Sequence, residues 1–136
     1  HYLPLELATK AAQETIAACA KEGYAVSVAV VAREGATQVL LKADRSGPHT
    51  GSSAEGKAFA AAALGRDTAG LAEFIANNPA NTGMRTMDPR LVVQAGGVPV
   101  KFNDVSVAGI GVGGAPTGAL DAACAMAGLK AIGADM

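Results

Sequence analysis

The sequence contains no tryptophan, and its aromatic residues, two tyrosines and three phenylalanines, make up 4% of the chain. Charge is also sparse: 17% of residues are charged, and 11 Lys+Arg against 12 Asp+Glu leave a net charge of −1. A protein that grips phosphate backbones needs a basic surplus, so nucleic acid is excluded as a partner. No apolar run reaches the roughly 18–20 residues of a membrane span. Only two cysteines are present, too few for a disulfide framework, with no C-x-x-C and no Cys/His spacing of a metal site. Histidine is nearly missing as well, since His49 is the only one besides His1.

What is present is alanine and glycine, 31 and 17 of 136 residues. The length fits a single domain spanning residues 1–136. Alanine buries little apolar area per residue, so a core of this composition gains little against backbone entropy. Close backbone packing and burial between subunits compensate, and a homo-oligomer is expected. The chain begins at His1 with no signal-type segment. A cytoplasmic location is favoured, with an extracytoplasmic one open if a signal peptide precedes His1.

Apolar periodicity predicts the elements in turn. Leu5, Ala8, Ala12, Ile16 and Cys19 mark a helix over 5–22, ended by Gly23. The β-branched run 24–32 suits a strand covered on both faces, and 37–43 returns as its hairpin partner. After a polar loop over 44–51, Ser52 and Glu55 form a capping box opening a helix to Leu64. A second helix over 68–77 carries Leu71, Phe74 and Ile75 inward, and 78–88 is irregular. Short strands are expected at 91–94 and 98–102, then a turn at Asn103-Asp104 and a last strand over 105–113. A final helix starts within 114–117 and reaches Ile132, with Leu120, Cys124, Ala127 and Ala131 on one stripe. The order α-β-β-α-α-β-β-α, with hairpins in place of β-α-β units, predicts an α+β antiparallel sheet with helices packed on it. Cys19 and Cys124 both fall in Ala-rich helices; buried free thiols are expected, with a bridge between the helices as the alternative.

Few residues point to chemistry. Gly109-Ile110-Gly111-Val112-Gly113-Gly114 matches G-x-G-x-x-G, but the parallel strand and acidic residue that a dinucleotide site requires do not follow. Alternate glycines in a buried strand instead allow close approach of a helix or ligand. Ser52 and Ser53 lie in no nucleophile elbow. Asp44, Glu55, Glu73 and Asp121 are scattered carboxylates, and Met84 and Met87 in the irregular segment read as packing groups, with thioether ligands as the alternative. Lys57 reads as a snorkelling surface lysine. His49 stands out, in Gly47-Pro48-His49-Thr50-Gly51 just before a helix, as a candidate ligand.

These segments together carry a resemblance. The Val-rich first hairpin, Gly47-Pro48-His49-Thr50, Lys57-Ala58-Phe59-Ala60-Ala61 and Gly96-Gly97-Val98-Pro99-Val100 stand in order along the chain. Gly109 to Pro116, Asp121-Ala122-Ala123-Cys124-Ala125 and Ala127-Gly128-Leu129 complete the pattern. The chain resembles the GlcG/HbpS family, the DUF336-type domain also found at the C-terminus of PduO-type proteins. The resemblance implies a profilin-like sheet flanked by helices, higher homo-oligomers and a small-molecule ligand, with haem foremost. If haem binds, His49 is the expected axial ligand, because imidazole is a strong ligand for haem iron and no other internal histidine exists. Arg45 and Lys57 are near enough in sequence to meet the propionates, with Thr50 or the Ser52 cap region supplying hydrogen bonds. The family commonly has a serine before Gly-Ala-Pro and an Asp-Glu pair in the last helix, where this chain has Gly113 and Asp121-Ala122. The alternatives are an enzyme acting on a small organic acid, with loop 47–53 and its helix N-terminus as an anion site, and an assembly partner without ligand.

Overall fold

Side-chain alternation along one strand decides the architecture. In the computed structural model, which describes residues 1–136, β4 (Val105–Gly113) turns Ala108, Ile110 and Val112 to one side. Gly109, Gly111 and Gly113 face the other side. The elements run α1 (Leu5–Lys21), β1 (Ser27–Ala32), β2 (Thr37–Lys42), α2 (Thr50–Leu64), α3 (Thr68–Asn77), β3 (Gly97–Phe102), β4 and α4 (Gly118–Ala131). A 3-10 turn lies at Pro79–Arg85. The strands form one antiparallel sheet in the order β2-β1-β4-β3, so the expected α+β class and element order hold.

Two cores lie on the two faces of this sheet. Val28 opposes Val112 and Val30 opposes Ile110. These four join Val100 with Ala8 and Ala12 of α1 and Ala125 and Leu129 of α4. On the other face Ala29 opposes Gly111 and Val31 opposes Gly109. A Cβ on Gly109 would run into the carbonyl of Ala58, and one on Gly111 into the carbonyl of Ala54. The backbone of α2 thus rests directly on the sheet, which is the close approach that alternate glycines permit. The Gly-rich motif serves helix packing, and α4 follows it where a dinucleotide fold would place its phosphate site.

The sheet ends are built as the residue types suggest. Asn103 and Asp104 take φ values of 50° and 67°, the left-handed geometry of a tight hairpin turn. Both of their amides donate to the Asp135 carboxylate, at 3.1 and 2.7 Å.

Several boundaries and faces differ from expectation. No strand forms at 91–94; the segment lies along α2, with the Val92 amide donating to Gly56 O at 3.2 Å. Its alternation of buried Leu91 and Val93 reflects packing against the α2 side. Helix α2 starts two residues before Ser52, and its N-cap His49 makes no side-chain cap bond. Glu55, expected in a capping box, instead accepts from the Thr37 hydroxyl at 2.9 Å. Leu5 is exposed, and Thr15 replaces Ile16 on the buried face of α1. In α4 the buried face is Asp121, Cys124, Ala125, Gly128 and Leu129, with Ala127 exposed. That rotation presents Gly128 to Thr15 and the Ala11 carbonyl, where no Cβ would fit.

The expectation of free thiols is also corrected. Cys19 and Cys124 form a disulfide across the α1–α4 contact, and no free cysteine remains. The two positions lie on facing buried sides of these helices, a relation that neither periodicity alone discloses. Closing a loop of 105 residues restricts the unfolded chain. The C19A/C124A protein is expected to lose about 4–5 kcal/mol of unfolding free energy, measured by denaturant titration. Equal stability would mean that the bridge contributes nothing. G111A is expected to cost about 1–3 kcal/mol, because the new methyl group meets helix backbone rather than a movable side chain. An unchanged midpoint would contradict the close approach of α2.

Candidate functional site

Helix α2 has almost no solvent face. Ala54, Gly56, Ala58, Phe59, Ala60, Ala61 and Ala62 are all buried, between the sheet on one side and segment 91–95 beyond it. Two turns into such a helix a lysine has no route to water, so Lys57 is not the snorkelling surface residue expected; its side chain is 4% exposed. Its Nζ donates to the Val112 carbonyl at 2.9 Å and to Asp121 Oδ2 at 3.1 Å. Asp121 comes from the first turn of α4, and its Oδ1 accepts the Ala115 amide at 2.9 Å. Burial pushes the Asp121 carboxyl above its ordinary value, against the opposing pull of the Ala115 amide and of Lys57. The ion pair therefore offsets only part of the cost of taking the carboxylate out of water.

This pair lines the floor of a cleft of about 640 Å³. Its walls include His49, Thr50 and Ser53 from the start of α2, and Ala115, Pro116, Thr117 and Gly118 from the start of α4. Arg85 at the end of the 3-10 turn, with Val93, Gln94 and Ala95, closes the remaining side. The amino ends of α2 and α4 thus open onto one space. Thr117 caps α4 by accepting the Leu120 amide at 3.2 Å. Arg85 is exposed and anchored by one bond, Nη1 to the Val93 carbonyl at 2.8 Å.

The structure brings together some of the sequence candidates and separates others. His49, Thr50 and Lys57 share the cleft. The His49 imidazole is exposed and makes no hydrogen bond within the chain. The Thr50 hydroxyl is occupied, donating to Gly47 O at 2.7 Å and meeting the Ser27 hydroxyl at 2.9 Å. Arg45, with φ 69°, is exposed and outside the lining. Ser52 lies instead in a separate groove with Glu55, Phe59 and Arg90. Met84 packs toward the α2 core and Met87 is exposed, so neither lines the cleft. Sequence reasoning missed Arg85 altogether and noted Asp121 as a scattered carboxylate and as part of the family pattern, without its link to Lys57. The one available signal for the pair was a lysine within an otherwise small and apolar helix.

An α+β domain with two helix layers on one antiparallel sheet, and one polar, charge-lined cleft at two helix starts, is the class defined here. The chain belongs to the HbpS-like family, described as haem degrading protein HbpS-like, which it matches over residues 3–130. It is 45% identical to HbpS of a crystal structure, covering 96% of this chain and 89% of that one with a TM-score of 0.90. A double mutant of Streptomyces reticuli HbpS is 44% identical, with 96% of this chain and 86% of that one covered and a TM-score of 0.89. The PduOC protein, solved as a haem complex, shares the fold at 18% identity, with a TM-score of 0.91 over 99% of this chain and 98% of that one. No curated protein matches the sequence.

The buried pair gives a direct test. K57M should lose about 3–5 kcal/mol of stability, because it leaves the Asp121 charge buried without its partner. The double variant K57M/D121L should regain most of that loss in the same denaturation measurement, since an apolar pair carries no desolvation cost. A double variant as unstable as K57M would show that the residues act independently of their charges.

Proposed function

We propose that the protein binds haem in this cleft, with His49 as the axial ligand. The observation that carries the reading is the His49 imidazole, exposed on the cleft wall and unpartnered, in a chain that belongs to the HbpS-like family. Imidazole is a strong ligand for haem iron. The family description, haem degrading protein HbpS-like, supports haem as the ligand, and PduOC, solved as a haem complex, shares the fold.

The remaining residues fit the group unevenly. The volume of about 640 Å³ falls within the range of cofactor pockets. Arg85 keeps donors free for a propionate after its bond to Val93. Val93, Ala95, Ala115 and Pro116 supply apolar contact, and no aromatic ring lines the cleft. Arg45 and Ser52, away from this lining, are not part of the reading, and Lys57 acts toward a ligand only from the floor. Bound there, haem would supply an iron centre for redox or ligand sensing. The chain's own contribution is to hold the imidazole on a loop shaped by Pro48 and to exclude water from one edge of the ring.

The homo-oligomer expected from the composition belongs to the same reading. It is supported by exposed Tyr2 and Val105 beside Leu3, Pro4, Leu7 and Phe102 in an apolar recess at the α1 start.

Titration with haemin, followed at the Soret band, tests the assignment. The native protein should give a saturable shifted band, and H49A should lose that shift or bind at least tenfold more weakly. An unchanged spectrum and affinity in H49A would remove His49 as the ligand.

A further inference from the structure

The floor of the cleft carries an unfilled donor independent of haem. Lys57 has three N–H bonds, and the chain accepts two, at Val112 O and Asp121 Oδ2. The third has no acceptor within the chain, on a side chain that is 96% buried yet lines the cleft. A buried ammonium with an unmatched donor is costly, and an acceptor entering from the cleft would relieve that cost. Asp121 does not provide it: Lys57 reaches only Oδ2, and Oδ1 is turned to the Ala115 amide.

Three further features point the same way. Arg85 also lines the cleft with its fork only partly used, and that planar fork matches a carboxylate. The amide of Gly118, which lines the cleft at the start of α4, has no acceptor within the chain, and α2 likewise begins at the cleft with His49, Thr50 and Ser53. Helix starts carry partial positive charge, and both of these open at the cleft. Since the Lys57–Asp121 pair is neutral overall, Arg85 and the helix ends leave the cleft electropositive. The small apolar faces of Val93, Ala115 and Pro116 suit a short carbon skeleton better than a bare inorganic ion.

We infer that the cleft binds a small organic acid, its carboxylate groups received by Lys57 at the floor and by Arg85 at the wall. Ala115 and Pro116 cover the carbon chain between them. The inference concerns the same cleft as the haem reading but does not depend on it.

The test uses the full chain and succinate as the probe, followed by amide chemical shifts in 15N-labelled protein. Succinate should produce saturable shifts at Ala95, Ala115 and Gly118, and uncharged succinamide should bind at least tenfold more weakly. R85Q should also bind succinate at least tenfold more weakly, with its melting temperature unchanged, because Arg85 is exposed. Equal response to succinate and succinamide, no saturable shift, or undiminished binding by R85Q would overturn the inference. So would tighter binding of inorganic phosphate than of succinate. A His49-dependent Soret band without succinate shifts overturns this inference alone. Succinate shifts in a protein that gives no Soret change overturn the haem reading alone.

Discussion

The glycine side of β4 is the constraint on which the rest of the molecule depends. Because Gly109 and Gly111 have no side chains, α2 lies with its backbone against the sheet. Its alanines then fill the remaining space without large apolar groups. A core in which alanine is the commonest residue is stable only under such close packing, where many small contacts replace a few large ones. The same closeness removes water from the middle of α2 and thereby determines the fate of the one lysine it carries.

Lys57 follows from that placement. A helix pressed between a sheet and a covering segment offers a lysine no solvent, so its charge must be met within the protein. The carboxylate of Asp121 and the carbonyl of Val112 meet it, and this ties the middle of α2 to the end of β4 and the start of α4. The tie holds two helix starts beside each other and defines the cleft floor. The candidate site and the fold meet in this one pair, whose removal as a unit is tolerable by charge arithmetic but whose separation is not.

Much of the architecture was legible in the residues themselves. The hairpins follow from β-branched runs and from Asn103-Asp104, whose residue types accept left-handed geometry. The alternate glycines of β4 announced a close neighbour without naming it. Segment 91–94 misled because alternation of buried residues arises from any extended chain lying on an apolar surface, paired or not. Lys57, Asp121, Arg85 and the Cys19–Cys124 bridge were not legible as a set. Each relation joins elements far apart in the chain, and local periodicity holds no information on which helix faces which. His49 was legible as an isolated histidine beside a helix start, and the cleft around it was not.

The bridge between α1 and α4 has a consequence for the integrity of the polypeptide. It joins position 19 to position 124, so almost the whole sheet and both helices of the opposite layer lie inside one covalent ring. The mostly exposed stretch from Asn78 to Arg90 is the natural place for a protease to cut. A single cut there opens the ring without releasing a fragment. The two pieces stay linked through sulfur, with β1, β2 and α2 on one and β3, β4 and α4 on the other. The β1–β4 pairing that joins them across the sheet can therefore survive such a break, and the nicked protein remains one covalent molecule until its disulfide is reduced.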